Sequence, residues 1–301
     1  MIDPYLLTEL TTFYQVGTLT KTAEQLNMTQ PSITRGMQKL EEKLGVKLFE
    51  RHANRLVLTK TGQLAAIEAE KLLQNNQDFV TKIRNFDQLQ HRPTIMATIP
   101  GPFIILTMIK ARLSADLFIS HDLIKIAEIS DLLQQNAALL VFSNQELFAP
   151  QIESRYLGTE QLAVDLNRNM AEAKRPRLHF ADITGHSFIV YGDIGVWRDI
   201  IQQEIPNANF MYQSEWQAMK ELIKFSDFPY FSTNLSRLDP DNPISQNLDD
   251  NRIELPISDA SAQMPIYGNY LTVNAHRVTP ILKIVQAAWP PNFPLDQLEN
   301  H

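Results

Sequence analysis

The chain has 301 residues, 44% of them hydrophobic and 20% charged, a composition typical of soluble globular proteins with two or three domains. It contains no cysteine, which excludes disulfides, thiolate metal sites and cysteine nucleophiles. The N-terminus lacks the basic and apolar regions of a signal peptide, and the longest apolar run is too short to cross a bilayer. We therefore expect a cytoplasmic protein.

Charge is unevenly distributed along the chain. Residues 21–60 contain eight basic and four acidic residues, a local balance of +4, whereas the whole chain carries −7, which leaves −11 for the remainder. A basic segment on an acidic chain predicts that this segment alone meets a polyanion. A solvated helical face would have the same composition.

The N-terminal residues predict helices that are separated by tight turns. The first helix has apolar residues at spacings of three and four, namely Leu6, Leu7, Leu10, Phe13 and Tyr14, and it ends at Gly17. Thr18 is predicted to cap a second helix over residues 19–26. Asn27 tolerates the left-handed conformation that a rapid chain reversal requires.

A third helix is predicted to follow at once, with Thr29 as its cap and Pro31 in its first turn. Its predicted buried face consists of Ile33, Met37, Leu40 and Leu44. The opposite face then exposes Gln30, Ser32, Thr34, Arg35 and Lys39, polar groups that can reach base edges in a major groove. A plain helical hairpin in an all-α domain is the alternative interpretation.

The segment after Gly45 favours the DNA-binding interpretation. It predicts a strand over residues 47–50, a basic turn and a return strand over residues 56–59. The predicted turn contains Arg51, His52, Asn54 and Arg55. Helices followed by such a hairpin predict a winged helix-turn-helix over residues 1–60.

The run TLTKTAEQLNMTQPSITRGMQKLEEKLGVKLFERHANRLVLTKTG resembles the N-terminal signature of the LysR-type transcriptional regulators. The shared motifs are Gln-Pro-Ser, Leu-Glu-x-x-Leu-Gly, Leu-Phe-x-Arg and Leu-Thr-x-x-Gly. Molybdate-responsive regulators have a similar head but a different ligand-binding domain. The resemblance implies DNA contacts from Lys21, Thr29, Gln30, Pro31, Ser32, Thr34, Arg35, Lys39, Arg51, His52, Asn54 and Arg55.

Residues 61–90 predict one long helix with a coiled-coil seam. Its positions alternate at intervals of four and three: Ala65, Ala69, Leu72, Asn76, Phe79, Ile83 and Phe86. The family resemblance implies that this linker helix pairs with a second copy, through Leu72, Asn76, Phe79, Ile83 and Phe86, in a homodimer or homotetramer. A helix packed on its own domain is the alternative.

Residues 93–301 alternate between short apolar runs and helical stretches, which predicts a parallel sheet with helices on both faces. The predicted elements include strands over residues 123–127 and 187–191, helices over residues 216–225 and 280–289, and a crossover over residues 162–165. The predicted architecture is thus mixed, with a largely α-helical winged head, a linker helix and a C-terminal α/β domain. This last domain resembles the two-lobed effector-binding domain of the same regulators, built like periplasmic binding proteins. We expect lobe I at about residues 93–161 and 266–301, and lobe II at about residues 162–265.

In such sheets, ligands bind at the carboxyl ends of strands and near helix N-termini. By position, the candidate effector residues are Pro100, Gly101, Ser130, Asn144, Gly192, Asp193, Trp197 and Thr233. Free amides there would suit a small anion and Trp197 an apolar portion of the ligand, although Asp193 argues against a simple anion.

No nucleophile elbow, P-loop or dinucleotide-binding glycine motif occurs, and the seven histidines lack metal-ligand spacing. We therefore predict no catalytic residue, no metal and no cofactor. The predicted function is transcription regulation through double-stranded DNA and a small-molecule effector, with RNA polymerase as a further partner that such a regulator could contact. The alternatives are a ligand-independent architectural protein or repressor, and an enzyme joined to a DNA-binding head.

Overall fold

The computed structural model describes residues 2–52, 55–192, 194–239 and 251–293. The chain divides into two compact units, Met1–Arg84 and Asn85–His301.

The first unit is a three-helix head with a two-stranded wing, followed by a long helix. Leu6, Leu10, Ile33, Leu40 and Leu48 are almost fully buried in its core. The elements are α1 (Pro4–Val16), α2 (Leu19–Gln25), α3 (Gln30–Leu44), β1 (Phe49–His52), β2 (Arg55–Leu58) and α4 (Lys60–His91), with β1 and β2 antiparallel.

The predicted helix boundaries of the head are set by their caps. The Thr18 hydroxyl accepts from the Lys21 amide, and the Thr29 hydroxyl accepts from the Ser32 amide, each at 3.3 Å. Gly17 ends α1 with a φ of 77°, a left-handed conformation that costs a glycine little. Asn27 has a φ of 53°, as the chain reversal before α3 requires.

One prediction for the buried face of α3 was wrong. Leu44 is 38% exposed, because it lies in the last turn of the helix, where the chain leaves the packed layer. The buried face of α3 instead includes Gly36, over which the buried Glu9 of α1 packs.

The wing was predicted at shifted positions. Its strands pair Phe49 with Leu58 and His52 with Arg55, so that Arg51, His52 and Arg55 lie on strands and not in a turn. The physical reason is that an antiparallel hairpin can close with a two-residue connection, and pairing here continues as far as His52 and Arg55, which leaves only residues 53 and 54 between the strands. The predicted turn residue Asn54 lies outside the described residues.

The second unit contains a nine-stranded sheet among the described residues, with strand order β4-β3-β5-β11-β6-β9-β7-β8 and β10 paired with β6. Its elements are β3 (Thr94–Ala97), α5 (Gly101–Met108), β4 (Phe118–Leu123), α6 (Ile129–Gln134), β5 (Leu140–Ser143), β6 (Ile152–Asn167), β7 (Ser187–Tyr191), α7 (Val196–Glu204), β8 (Asn209–Gln213), α8 (Trp216–Phe225), β9 (Tyr230–Thr233), β10 (Arg252–Pro256), β11 (Gln263–Leu271) and α9 (Ala275–Ala288).

The sheet is mixed, which corrects the prediction of a parallel sheet. Strands β3, β4 and β5 are mutually parallel in one lobe, and β7, β8 and β9 in the other. The long β6 is antiparallel to its neighbours. Residues 152–161 of β6 pair with β11, and from Leu162 onwards β6 pairs with β9 and β10, so that one strand belongs to both lobes.

Each lobe has its own apolar core. Ile95, Leu140 and Leu282 are buried in lobe I, and Phe188 and Ile201 in lobe II. A strand predicted over residues 123–127 is wrong, because β4 ends at Leu123 and a 3-10 turn follows at Ile126–Glu128. The last helix begins at Ala275, five residues before the predicted start at Pro280, and it contains that proline in its interior.

Candidate nucleic-acid interface and effector site

The first turns of α3 present an exposed polar surface. Gln30, Pro31 and Arg35 are exposed, and Ser32 and Thr34 are partly exposed. The Thr34 hydroxyl donates to the Gln30 carbonyl at 3.0 Å, which orients it along the helix. Among the described residues, no side-chain hydrogen bond or ion pair engages Gln30 or Arg35, so both side chains can turn towards a ligand.

Lys39 lies on α3 about one turn beyond Arg35, but its ammonium group is already engaged. It donates to the Tyr5 hydroxyl at 2.7 Å and lies 3.7 Å from Asp3, which also pairs with Lys43 at 3.0 Å. The hydrogen bond to Tyr5, followed by the attraction of Asp3, raises the pKa of Lys39. Its side chain therefore stays charged, and α1 restricts its direction.

The wing is fixed to α3 by the Leu-Glu-x-x-Leu-Gly motif. Glu41 accepts from the amides of Leu48 and Phe49 at 2.8 and 3.2 Å, and it pairs with Lys47 at 3.3 Å. Two backbone donors that would otherwise be unpaired at the start of the hairpin are thereby satisfied. The position of Arg51 and His52 relative to α3 depends on this anchor.

The Leu-Thr-x-x-Gly motif joins the wing to α4. The Thr59 hydroxyl donates to the Lys47 carbonyl at 3.1 Å and accepts from the Gly62 amide at 2.9 Å, which caps the helix. At Gly62 a side chain would overlap the Leu48 carbonyl oxygen. The motif thus requires glycine because α4 passes directly against the wing.

A surface groove of about 240 Å³ separates α3 from the wing. Its polar lining consists of Thr34, Gln38, Glu41, Lys47 and Arg51. Of these, only Thr34 and Arg51 were predicted from the sequence as DNA contacts. Gln38 could have been found because it lies four residues after Thr34 on the same helical face. The other predicted contacts, Lys21, Thr29, His52 and Arg55, are all exposed.

Helix α4 carries an exposed apolar stripe. Leu72, Phe79, Ile83 and Phe86 are between 51% and 64% exposed, and Asn76 is also exposed. The first two positions of the predicted seam differ, because Ala65 and Ala69 pack into the core of the head. The part of the seam that is free in a single chain therefore begins at Leu72.

Four of the predicted effector residues lie close together where the two lobes meet. A side chain at Gly101 would overlap Glu160 Oε2, and Trp197 and Thr233 lie close enough to the Glu160 carboxyl group to influence its pKa. A Cβ at Gly195 would lie 2.9 Å from Cδ of Pro100, which shows how closely the two loops approach.

Glu160 is the residue that sequence reasoning missed. It is 4% exposed, and no salt bridge engages it among the described residues. Burial raises the pKa of Glu160 to about 7, and the nearby Thr233 hydroxyl and Trp197 indole N–H offset part of this rise. The Trp197 Nε1 atom nevertheless lacks a partner with hydrogen-bond geometry. Glu160 lies in β6 two residues before the apolar run LAVDL, and nothing in the neighbouring sequence indicates that it faces the lobe junction.

Two further buried polar atoms lie at the carboxyl ends of adjacent parallel strands. The Thr98 hydroxyl after β3 and the Asn144 side-chain oxygen after β5 lack hydrogen-bond partners among the described residues. The Thr98 amide donates to the Phe142 carbonyl at 2.9 Å, which holds the two strand ends together. Ser130 lies in the first turn of α6, and Gly192 directly follows β7, where its amide donates to the Gln213 carbonyl at 2.6 Å. Asp193 lies outside the described residues.

Head and hairpin together form a winged helix-turn-helix, a class of DNA-binding domain. Residues 7–63 match the family model described as bacterial regulatory helix-turn-helix protein, lysR family. The chain therefore carries the DNA-binding domain of the LysR family, and the resemblance predicted from the sequence motifs is confirmed.

Curated relatives match over a short part of the chain. The uncharacterized HTH-type transcriptional regulator YbhD of Escherichia coli is 37% identical over 78 residues, which are 26% of this chain and 25% of that protein. The HTH-type transcriptional regulator CrgA of Neisseria meningitidis is 42% identical over 69 residues, 22% of this chain and 23% of that protein. The chain thus spans about a quarter of the length of these relatives, which are named as regulators.

Similarity in structure extends over most of the chain. The DNA complex of Vibrio fischeri DarR, described among LTTR family members, superimposes with a TM-score of 0.55 at 20% sequence identity, covering 94% of this chain and 98% of that one. The two-part architecture with a C-terminal two-lobed α/β domain is therefore confirmed as a fold. No helix in the described part of the chain is both long and apolar enough to cross a bilayer.

Proposed function

We propose that the protein is a LysR-type transcription regulator that binds specific DNA sites and is controlled by a small-molecule effector. The observation that carries the proposal is the exposed start of α3, with Gln30 and Arg35 unengaged, on a head that matches the family model. A helix of this diameter fits the major groove of B-form DNA, and its first turns approach the base edges.

Within this proposal, the exposed polar and basic residues of the head have two roles. Arg35, Gln30 and Ser32 read bases, because they lie on the first turns of α3 and can donate or accept hydrogen bonds. The residues that neutralise phosphates are Lys21, Lys39, Arg51, His52 and Arg55, which are exposed around the head. Such a function places the protein in the cytoplasm, where a bacterial chromosome lies.

The proposed active form is a dimer or tetramer. Six apolar and one asparagine position recur at heptad spacing, and four of the apolar ones are exposed along α4. Pairing these stripes buries them and sets two heads on the two halves of a pseudo-palindromic site. In this arrangement residues 1–60 are the head, residues 61–90 the dimerisation helix, and residues 93–301 the effector domain.

Effector binding is proposed at the junction of the two lobes, beside Pro100, Gly101, Trp197 and Thr233. The shared strand β6 joins the two lobes here, and each lobe has its own set of parallel strands. Ligands of α/β sheets bind at the carboxyl ends of such strands. An effector that binds one lobe arrangement more tightly than another shifts the population between them. This domain is also where a contact with RNA polymerase would be regulated.

Selection from fragmented genomic DNA tests the proposal. The purified full chain should enrich a small set of sites that contain an inverted repeat, and binding should weaken steeply with salt as counterions are released. Arg35→Ala should reduce discrimination at one base pair by about 1–3 kcal/mol. Arg112→Ala removes an exposed positive charge from the second unit and serves as the control, with site preference unchanged.

The alternatives predict different results. Equal weakening on every sequence would show that Arg35 contacts phosphate only. Absence of any preference over random DNA at low ionic strength would contradict a sequence-specific regulator.

A further inference from the structure

The lobe junction contains a negative group of the protein itself at the place where helix N-termini would attract an anion. Glu160 Oε2 lies against Gly101, the first residue of α5, so a side chain at that position would overlap it. Trp197, in the first turn of α7, also adjoins this carboxyl group. The partial positive charge at the start of these helices is therefore already met by a carboxyl group of β6.

Glu160 has no counter-ion among the described residues, although the Thr233 hydroxyl and the Trp197 indole lie near its carboxyl group. It is 4% exposed, and within the described ranges no lysine, arginine or histidine forms an ion pair with it. Asp165, a second buried carboxylate of β6, does have a counter-ion, because it lies 3.3 Å from the Arg252 guanidinium. A buried negative charge without a counter-ion is unfavourable. A carboxyl group in this position therefore either keeps its proton or pairs with a cation that a ligand supplies.

We propose that the effector of this protein carries a cationic nitrogen, such as a primary ammonium or an amidinium group, that pairs with Glu160 at the lobe junction. This inference rests on the proposed function, because it identifies the chemical class of the effector for the same site. An anionic effector would place two negative charges side by side in a region from which water is excluded.

Neighbouring groups suit the remainder of such a ligand. The Trp197 Nε1 atom lies close to the Glu160 carboxyl group and lacks a partner with hydrogen-bond geometry, so it can donate to a ligand. Trp197 and Leu235 are buried beside Glu160 and Gly101 and provide apolar surface. Only the cationic group of the ligand is fixed by these observations, since one carboxyl group dominates the local charge.

Matched ligand triplets test this assignment with the full chain at pH 8. The probes are butylamine, butyramide and butyrate, and benzylamine, benzamide and benzoate, each at up to 10 mM, a concentration on the order of that used for weak ligands. The measurement is the thermal midpoint followed by tryptophan fluorescence, because Trp197, Trp216 and Trp289 all lie in the second unit.

We expect at least one of the two amines to raise the midpoint by about 3 to 6 °C at about ten times its Kd. The amide and the carboxylate of the same size should raise it less. Glu160→Gln, which preserves size and removes the charge, should abolish the amine response, whereas Glu146→Gln, an exposed carboxylate of the same unit, should leave it unchanged. Glu160→Asp should retain a weakened response and guards against misfolding of the glutamine variant.

Three outcomes would overturn the assignment: no shift with either amine, a larger shift with a carboxylate than with its amine, or an amine shift that persists in Glu160→Gln. Site-specific DNA binding of the unliganded protein is measured in parallel. Its presence together with a failed amine response rejects the effector class alone, whereas its absence rejects the proposed function.

Discussion

Replacing Glu160 by glutamine should change the pH dependence of stability in a way that can be calculated from the structure. Burial raises the pKa of Glu160 to about 7 from an ordinary value of 4.5. The folded protein therefore holds a proton over an interval in which the unfolded chain has released it. Consequently, the contribution of Glu160 to the free energy of unfolding falls as the pH rises from about 4.5 to 7. Outside this interval, the contribution of Glu160 does not change with pH.

The size of the effect follows from the two pKa values. Each pH unit between them lowers the free energy of unfolding by about 1.4 kcal/mol, so the whole interval amounts to about 3 kcal/mol. Glutamine does not titrate and resembles the protonated acid in shape and hydrogen bonding. The variant should match the wild type only below about pH 4, and it should exceed the stability of the wild type by about 1 kcal/mol at pH 5 and about 3 kcal/mol at pH 8.

Urea unfolding followed by tryptophan fluorescence at pH 5, 6, 7 and 8 measures this difference. Burial also raises the pKa of Asp165 to about 7, against the opposing effect of Arg252. Because Asp165 is present in both proteins, its contribution cancels when the two unfolding free energies are subtracted. A difference between wild type and Glu160→Gln that stays constant from pH 5 to pH 8 would refute the reasoning.

Three further substitutions test the contacts that hold each unit together. Gly62→Ala should lower the free energy of unfolding of the head by about 1–3 kcal/mol, because a Cβ would overlap the Leu48 carbonyl oxygen. Glu41→Ala should destabilise the head by about 1–3 kcal/mol and weaken DNA binding, since two amides at the start of the wing lose their acceptor. Arg252→Met should destabilise the second unit by about 3–5 kcal/mol, because Asp165 becomes a buried charge without a partner.

Each of these substitutions has a control. Gln63→Ala changes an exposed position next to Gly62. It should leave the thermal unfolding transition, followed by circular dichroism, unchanged. Glu42→Ala is the exposed counterpart of Glu41, and equal losses of DNA affinity in both would contradict the anchoring role of Glu41. Adding Asp165→Leu to Arg252→Met should restore part of the stability in urea, and a further loss would show that the ion pair is not the cause.

Local interactions account for the parts of the head that the sequence predicted well. Thr18 and Thr29 cap the helices that follow them, and Gly17 and Asn27 adopt positive φ angles where the chain reverses. These features depend on residues within four positions of one another, which is the range over which spacing carries information. The wing was displaced because strand pairing continues as far as His52 and Arg55, and the basic residues of this segment do not indicate from the sequence alone that they pair.

Predictions for the second unit were accurate where strand and helix alternate, as in β7 and α8, whose bounds were predicted correctly. They were poor where the chain crosses between lobes. Residues 152–167 form one strand, yet only residues 162–165 were predicted as a crossover, because the first half of β6 is polar and exposed on one face. Its partner β11 is more than one hundred residues away, a separation over which pattern carries no signal.

The predicted effector residues illustrate the same division. Helix N-termini and strand ends are local features, and from them the sequence indicates Pro100, Gly101, Trp197 and Thr233, which lie close together in the structure. The sign of the charge at that site is not a local feature. It depends on Glu160, which β6 brings across from the middle of the domain.

A single buried carboxyl group reverses the expectation for the ligand. The amides at the start of a helix favour an anion by a fraction of an elementary charge, whereas an ionised carboxylate beside them carries a full one. With Glu160 against Gly101 and without a cationic partner among the described residues, the ionised form of this group, which prevails above about pH 7, would attract a cation. The electrostatics of this site therefore follow from the tertiary position of Glu160 and not from the helix termini that locate it.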